Sequence, residues 1–249
     1  MYHSLNIGNK NTWDDYSLIP ESKIYIPIAS QKTKSVEIEG GSGSLDFSTL
    51  ITGYPIYSQL TGTINFRLMN RLDLLATTGF EYAYPANYNF YDIFAKIYAE
   101  LDGFTGKVWL EDDPEWCYDG RINVQCSMAE PCSQVSIGYD FKPYKYARVP
   151  KTWTLNGLGS IINRQIISAE DAGFAPQHAK FVLLGPTGTT ATVRFVNEKL
   201  GIDSTKSLTV NTSGISYEEY EWVIYGESSL YLTAASGVSM IINHTPGRL

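Results

Sequence analysis

The chain is expected to be mainly β, with one helix in its amino-terminal half: an α+β domain over residues 1–146, then an all-β sandwich over 147–249. Three observations predict this. The 249 residues include 18 Tyr and 5 Trp, flat rings that pack well against cross-strand neighbours on a pleated surface. Its 21 glycines are spread along the chain, as turns between many short strands require. Only one long stretch, beginning at Asn89, repeats its apolar residues with a helical period.

Taken in order, Ser35–Glu39 and Leu60–Leu68 alternate apolar and polar residues and read as strands on either side of a glycine turn at Gly40, Gly41 and Gly43. The helix follows. Phe90, Ile93, Phe94, Ile97, Tyr98 and Leu101 fall at i, i+3, i+4, i+7, i+8 and i+11, which places them on one face. Asn87 or Asn89 serves as its N-cap, and Gly103 stands where a left-handed residue ends a helix. The stripe is core packing, and the helix is expected to lie across the surrounding strands. Lys107–Glu111 and Trp116–Val124 then form a hairpin turning at Asp112-Asp113-Pro114-Glu115, and Gln134–Phe141 alternates Val135, Ile137, Tyr139 and Phe141 with polar partners. The run Lys142 to Pro150 holds two prolines and three basic residues, which suits a junction between domains. Beyond it come short strands at Lys180–Leu184, Thr190–Val196, Ser207–Val210, Tyr220–Tyr225, Ser229–Thr233 and Val238–Asn243. Turns at Gly185-Pro186-Thr187-Gly188 and Asn211-Thr212-Ser213-Gly214 separate them, a sandwich pattern.

Composition narrows the function. With 43% hydrophobic and 18% charged residues, there is enough apolar surface to offset chain entropy. A net charge of −7 argues against stable nucleic-acid binding, which rests on Lys and Arg neutralising phosphates. MYHSLNIGNKNTWDDY lacks a basic region followed by an apolar one, so no signal peptide is expected. No window is apolar enough for a membrane span. Cys117, Cys126 and Cys132 are an odd number, read as reduced thiols.

Each candidate for chemistry has a plainer reading. Glu111, Asp112, Asp113 and Glu115 offer carboxylates for sugar hydrolysis or for calcium. Consecutive Asp residues before Pro are also what a tight strand turn selects, and the spacing of a calcium loop is missing. A Cys126–Cys132 zinc site would need further ligands, and His3, His178 and His244 are scattered. GGSGS at 40–44 lacks both the spacing and the Lys of a phosphate loop, and no GxSxG elbow is present. No catalytic residue, metal site or cofactor is therefore expected, and the chain is read as a non-enzyme. Tyr54, Tyr57, Tyr82, Tyr84, Tyr88 and Tyr91 serve either a subunit interface or a sugar-stacking platform. Phe80–Pro85 reads as a docking loop.

The order and spacing of several segments resemble the distal tail protein family of siphovirus-type phages and prophages. They are Asn11-Thr12-Trp13-Asp14-Asp15-Tyr16 with Leu18-Ile19-Pro20; Val36–Phe47 with its glycine turn and Leu45-Asp46; Asp112-Asp113-Pro114 followed by Tyr118-Asp119-Gly120-Arg121-Ile122; Lys142-Pro143-Tyr144-Lys145-Tyr146; and the ending Gly247-Arg248-Leu249. The resemblance implies a tail-tube-like amino-terminal domain that closes into a homo-hexameric ring, and a peripheral galectin-like sandwich. The ring would join the tail tube protein to tail-tip or baseplate proteins, such as the tail-associated hub protein. DNA would pass through its channel without stable binding, the acidic charge repelling it. The protein would be made in the bacterial host cytoplasm, end in the virion tail tip and insert in no membrane. The family carries no catalytic residues. A long insertion in the second half is missing, so a built-in carbohydrate-binding module is not expected, and no Arg/Asn/His/Trp sugar cluster is evident between Lys151 and Leu249. The alternative reading is a lectin-like tail-tip protein for host adsorption.

Overall fold

A computed structural model describes residues 3–37, 44–46, 48–50, 52–68, 90–129, 132–210 and 215–249. The chain is mostly strand, as the sequence predicts. Its contacts divide it into two compact units: Met1–Lys32 with Tyr57–Lys145, and Thr33–Ile56 with Tyr146–Leu249. Residues 33–56 thus group with the second unit, whereas the sequence reading kept all of 1–146 together.

The first unit opens with three short strands, β1 (Leu5–Ile7), β2 (Lys10–Asn11) and β3 (Leu18–Pro20). The turn between β2 and β3 is built by local side chains. Asn11 Oδ1 accepts the amides of Trp13 and Asp14, and Asp15 Oδ2 accepts the amide of Asn11 at 2.7 Å, the Asx chemistry that favours such residues in turns. This turn carries Tyr16 inward, where its hydroxyl donates to Glu100 Oε2 at 2.6 Å and Lys10 pairs with the same oxygen at 3.0 Å. The Tyr16 hydrogen bond, then that from Lys10, holds the Glu100 carboxyl below its usual range.

After an excursion that holds the two-stranded ribbon β4 (Ser35–Glu37) and β5 (Ser44–Asp46), the first unit resumes with β6 (Leu60–Leu68) and α1 (Phe90–Leu101). It continues through β7 (Thr105–Leu110), β8 (Trp116–Ala129) and β9 (Cys132–Ala147). Its strands lie in the order β2-β1-β7-β8-β9-β6-β3. β6 runs antiparallel to β9 from Leu60↔Phe141 to Arg67↔Gln134. Val135, Ile137, Tyr139 and Phe141 are all buried, as their alternation predicts, and so are Leu60, Ile64, Phe66 and Leu68 of β6. The turn between β7 and β8 falls at Glu111–Glu115, with Asp113 N–H donating to Leu110 O.

Phe94, Ile97 and Leu101 are buried on the helix, while Tyr98, at the margin of the stripe, is 40% exposed. The expected N-caps Asn87 and Asn89, the glycine turn at 40–43 and the Phe80–Pro85 loop lie outside the described residues. Gly103 adopts φ 72° two residues past the helix, as a terminal glycine should. Its amide reaches across to Ile122 O. Where β7 no longer flanks β8, the amides of Ile122, Val124 and Cys126 donate to Phe104 O, Asp102 Oδ1 and Tyr98 Oη. The helix terminus therefore continues the ladder and satisfies a strand edge that would otherwise be bare.

The expected break at Lys142–Pro150 begins later than predicted, because β9 continues to Ala147. Pro143 falls beyond the last β6–β9 pair, Leu60↔Phe141, so its missing N–H interrupts no β6–β9 bond. Bends follow at Arg148–Val149.

The second unit adds β10 (Lys151–Asn156), β11 (Asn163–Ile167), the short helix α2 (Ala169–Ala172), β12 (Gln177–Leu184), β13 (Thr190–Asn197), β14 (Ile202–Thr209), β15 (Ile215–Ile224), β16 (Ser228–Ala234), β17 (Ser239–His244) and β18 (Gly247–Arg248). The strands β10-β17-β12-β15 form one four-stranded sheet and β11-β16-β13-β14 another. Phe181, Leu183, Met240 and Ile242 from the first share one core with Val193, Phe195, Leu230 and Leu232 from the second. All six strands expected here are present; β10, β11 and β18 were not foreseen. The expected turn at 211–214 lies outside the described residues.

Tyr217, Phe181, Trp222 and Phe195 stack in a row with centroid separations of 5.6, 6.0 and 5.7 Å. A register shift aims Trp222 inward. His178 pairs with Val223 but Ala179 pairs with Glu219, so Tyr220, Glu221 and Trp222 oppose a single step of β12.

His244 is 2% exposed, and its Nε2 lies 2.8 Å from Ala172 O. Burial lowers its pKa below 6.5. The folded ring resists a proton that the unfolded chain accepts, so this stability is present above pH 6.5 and is lost as pH falls through the folded value. The second unit should accordingly lose stability as the pH drops below 6.5. His244→Gln should flatten that part of a melting-temperature profile; an unchanged slope would show that His244 is not its source.

Candidate functional site

The acidic cluster does not converge. Glu111 Oε2 accepts from the Ser4 hydroxyl at 2.8 Å, Asp112 lies against His3, and Asp113 pairs with Lys145 at 2.8 Å. These three carboxylates are each engaged by a different side chain around one tight turn. Replacing Asp112 and Asp113 together with Asn should cost about 1 kcal/mol or less, as partly exposed ion pairs contribute little, measured by urea unfolding. A loss of several kcal/mol would mean the turn carries more of the fold than these contacts indicate.

Among the described residues, no group of three or more His, Cys, Asp and Glu is placed to hold a metal ion. Cys117 is buried and Cys126 half-buried, neither of them in a disulfide, and burial pushes the Cys126 thiol up to about 11, away from reactivity at neutral pH. The Cys132 side chain lies outside the described residues. His178 meets the edge of Tyr220 at 5.1 Å, and His244 is buried under α2.

The tyrosines do not share one platform. Tyr54 packs on Tyr225 in the second unit and Tyr57 on Tyr144 in the first, each at 5.6 Å. Tyr91 is 71% exposed. Tyr82, Tyr84 and Tyr88 lie outside the described residues.

Two surfaces remain that residue-by-residue reading missed. In the first unit, Ser22–Ala29 follows β3 at the edge of the sheet without joining a strand ladder. It is pinned before by the Glu21 amide on Asn65 O and after by the Ser58 amide on Ser30 O. Between these pins no residue makes a hydrogen bond or ion pair among the described residues. Ile24 and Ile26 are buried whereas Tyr25 and Ile28 are 76% and 69% exposed. The alternation Ile24-Tyr25-Ile26 was the available signal. Such an edge can accept a further strand.

In the second unit, Arg164 on β11 and Arg194 on β13 flank Tyr231 on β16, at 5.3 and 5.5 Å from its ring centre. Arg194 forms a two-pronged pair with Asp203, and Arg164 donates to the Ser229 hydroxyl. Thr192 and Thr233 stand in the next cross-strand row. This is a hydroxyl- and guanidinium-bearing face able to offer hydrogen bonds to a polar ligand.

No protein-family profile matches the chain, and no curated protein matches it in sequence. Among solved structures, it is similar to the crystal structure of the SPP1 Dit (gp 19.1) protein, described as a paradigm of the hub adsorption apparatus in phages that infect Gram-positive bacteria. The TM-score is 0.62 at 10% identity, over 98% of this chain and 99% of that one. At that identity the likeness is one of fold. Both units of the chain, carrying the open edge and the arginine–tyrosine face, thus follow the fold of a phage tail hub protein.

Proposed function

We propose that the chain is a structural component of a siphovirus-type phage or prophage tail, a homo-hexameric ring that joins the tail tube to the tail tip or baseplate. The observation that carries this reading is the likeness of fold to SPP1 Dit over 98% of the chain. It is supported by the open strand edge of the first unit, since a head-to-tail contact closes into a ring when its rotation permits. The first unit forms the ring. The net charge of −7 suits a channel that lets DNA pass without holding it. Tail tube and tip proteins are the partners, and no catalysis is involved. Gold-labelled antibody against the chain should mark the distal end of the tail in electron micrographs. Labelling of the head or of the whole tube would refute the assignment, as would release of reducing sugar from cell-wall material by the purified protein.

The second reading, a sugar-binding adsorption protein, draws on the face around Tyr231. Binding of host wall glycans that is lost on Arg164→Ala would support it.

A further inference from the structure

We propose that Ser22–Ala29 is the edge at which the β4–β5 ribbon of a second copy adds as a strand. This inference rests on the ring reading above and names the contact that would build it.

Backbone groups left without partners set the requirement. Water satisfies them in an isolated protomer, but the alternation of buried Ile24 and Ile26 with exposed Tyr25 and Pro27 is the side-chain pattern of a strand. Seven of the eight residues have an N–H to give, Pro27 being the exception. Tyr25 and Ile28 stay exposed and would lose that exposure under a neighbour.

Charge and stability identify the occupant as the chain itself. Within Ser22–Ala29 the one charged residue is Lys23, and no acidic residue is present. From Val36 to Asp46 there are Glu37, Glu39 and Asp46, and no basic residue. A basic open edge and an acidic ribbon on one chain are complementary between copies, and such complementarity steers and registers association. The ribbon also needs a partner. Its strands have three residues each and pair with one another, from Ser35↔Asp46 to Glu37↔Ser44. Ser35, Val36 and Glu37 are all exposed, and a two-stranded ribbon alone is marginal in water.

The test is amide hydrogen exchange on the full chain, compared between dilute protomer and concentrated assembly. Amides within Ser22–Ala29 should exchange at least tenfold more slowly in the assembly. Tyr25→Pro removes one amide at an exposed position and should weaken assembly at least tenfold with the protomer's melting temperature unchanged. Lys23→Glu should also weaken it, and adding Glu37→Lys should restore it. Three outcomes overturn the proposal and leave the ring in place: a ring in which these amides exchange as in the protomer, Tyr25→Pro assembling at the wild-type concentration, or protection already complete in the protomer. A chain that never assembles removes both this contact and the ring.

Discussion

Trp222→Ala should destabilise the second unit by about 3–5 kcal/mol, the usual range for deleting a buried Trp or Phe side chain. Trp222 is fully buried, with Phe181 and Phe195 stacked at 6.0 and 5.7 Å. Its loss leaves a cavity between rings from both sheets, and those rings cannot close over it without leaving their own rotamers. The indole Nε1 is buried without a hydrogen-bond partner, so the contribution is packing. Trp222→Phe should therefore cost much less than Trp222→Ala. Hydrogen exchange should show the loss confined to β12, β13, β15 and β16, with the amides of β8 and β9 unchanged. Equal costs for the two substitutions would mean that the cavity does not set the penalty.

Gly120→Ala should cost the first unit about 1–3 kcal/mol, the range for forced overpacking. A Cβ on Gly120 would run into Asp140 O and stand 2.7 Å from Phe141 Cα. Both belong to the backbone of β9, so relief requires separating β8 from β9. The same step is also bordered by Tyr118, whose ring stacks on Phe141 at 5.2 Å. Thermal unfolding of the variant is the check. A melting temperature within a degree of the wild type would show that the two strands part freely. Gly120 lies in the Tyr118–Ile122 segment that supports the family resemblance, and its packing gives a physical reason for a residue without a side chain there.

Legibility in the sequence followed the length and regularity of each element. The eight-residue alternation of Gln134–Phe141 and the helical stripe ending at Leu101 were readable because each buries one face against a single layer. β1, β2 and β3 were not, since two or three residues hold no measurable period. β11 showed only Ile166 and Ile167 together, with no alternation. Pro143 reads as a breaker, yet it falls just beyond the last β6–β9 pair. The grouping of residues 33–56 with the second unit depends on contacts distant in sequence, which local pattern cannot report. The inward turn of Trp222 arises from a register shift, and alternation along β15 alone would not locate it. For the candidate site, the bland reading of the acidic turn was available from Asp-Asp-Pro chemistry. The open edge was visible as alternation, but only the absence of bonded neighbours among the described residues distinguishes it from an ordinary strand.

The central claim, a closed six-membered ring, is tested most directly by native mass spectrometry of the full chain over a range of concentrations. The account predicts a species of about six times the 27.8 kDa protomer, with no higher oligomers growing in as concentration rises, because a closed ring leaves no free edge. A single protomer mass at every concentration, or an open-ended series of oligomers, would contradict it.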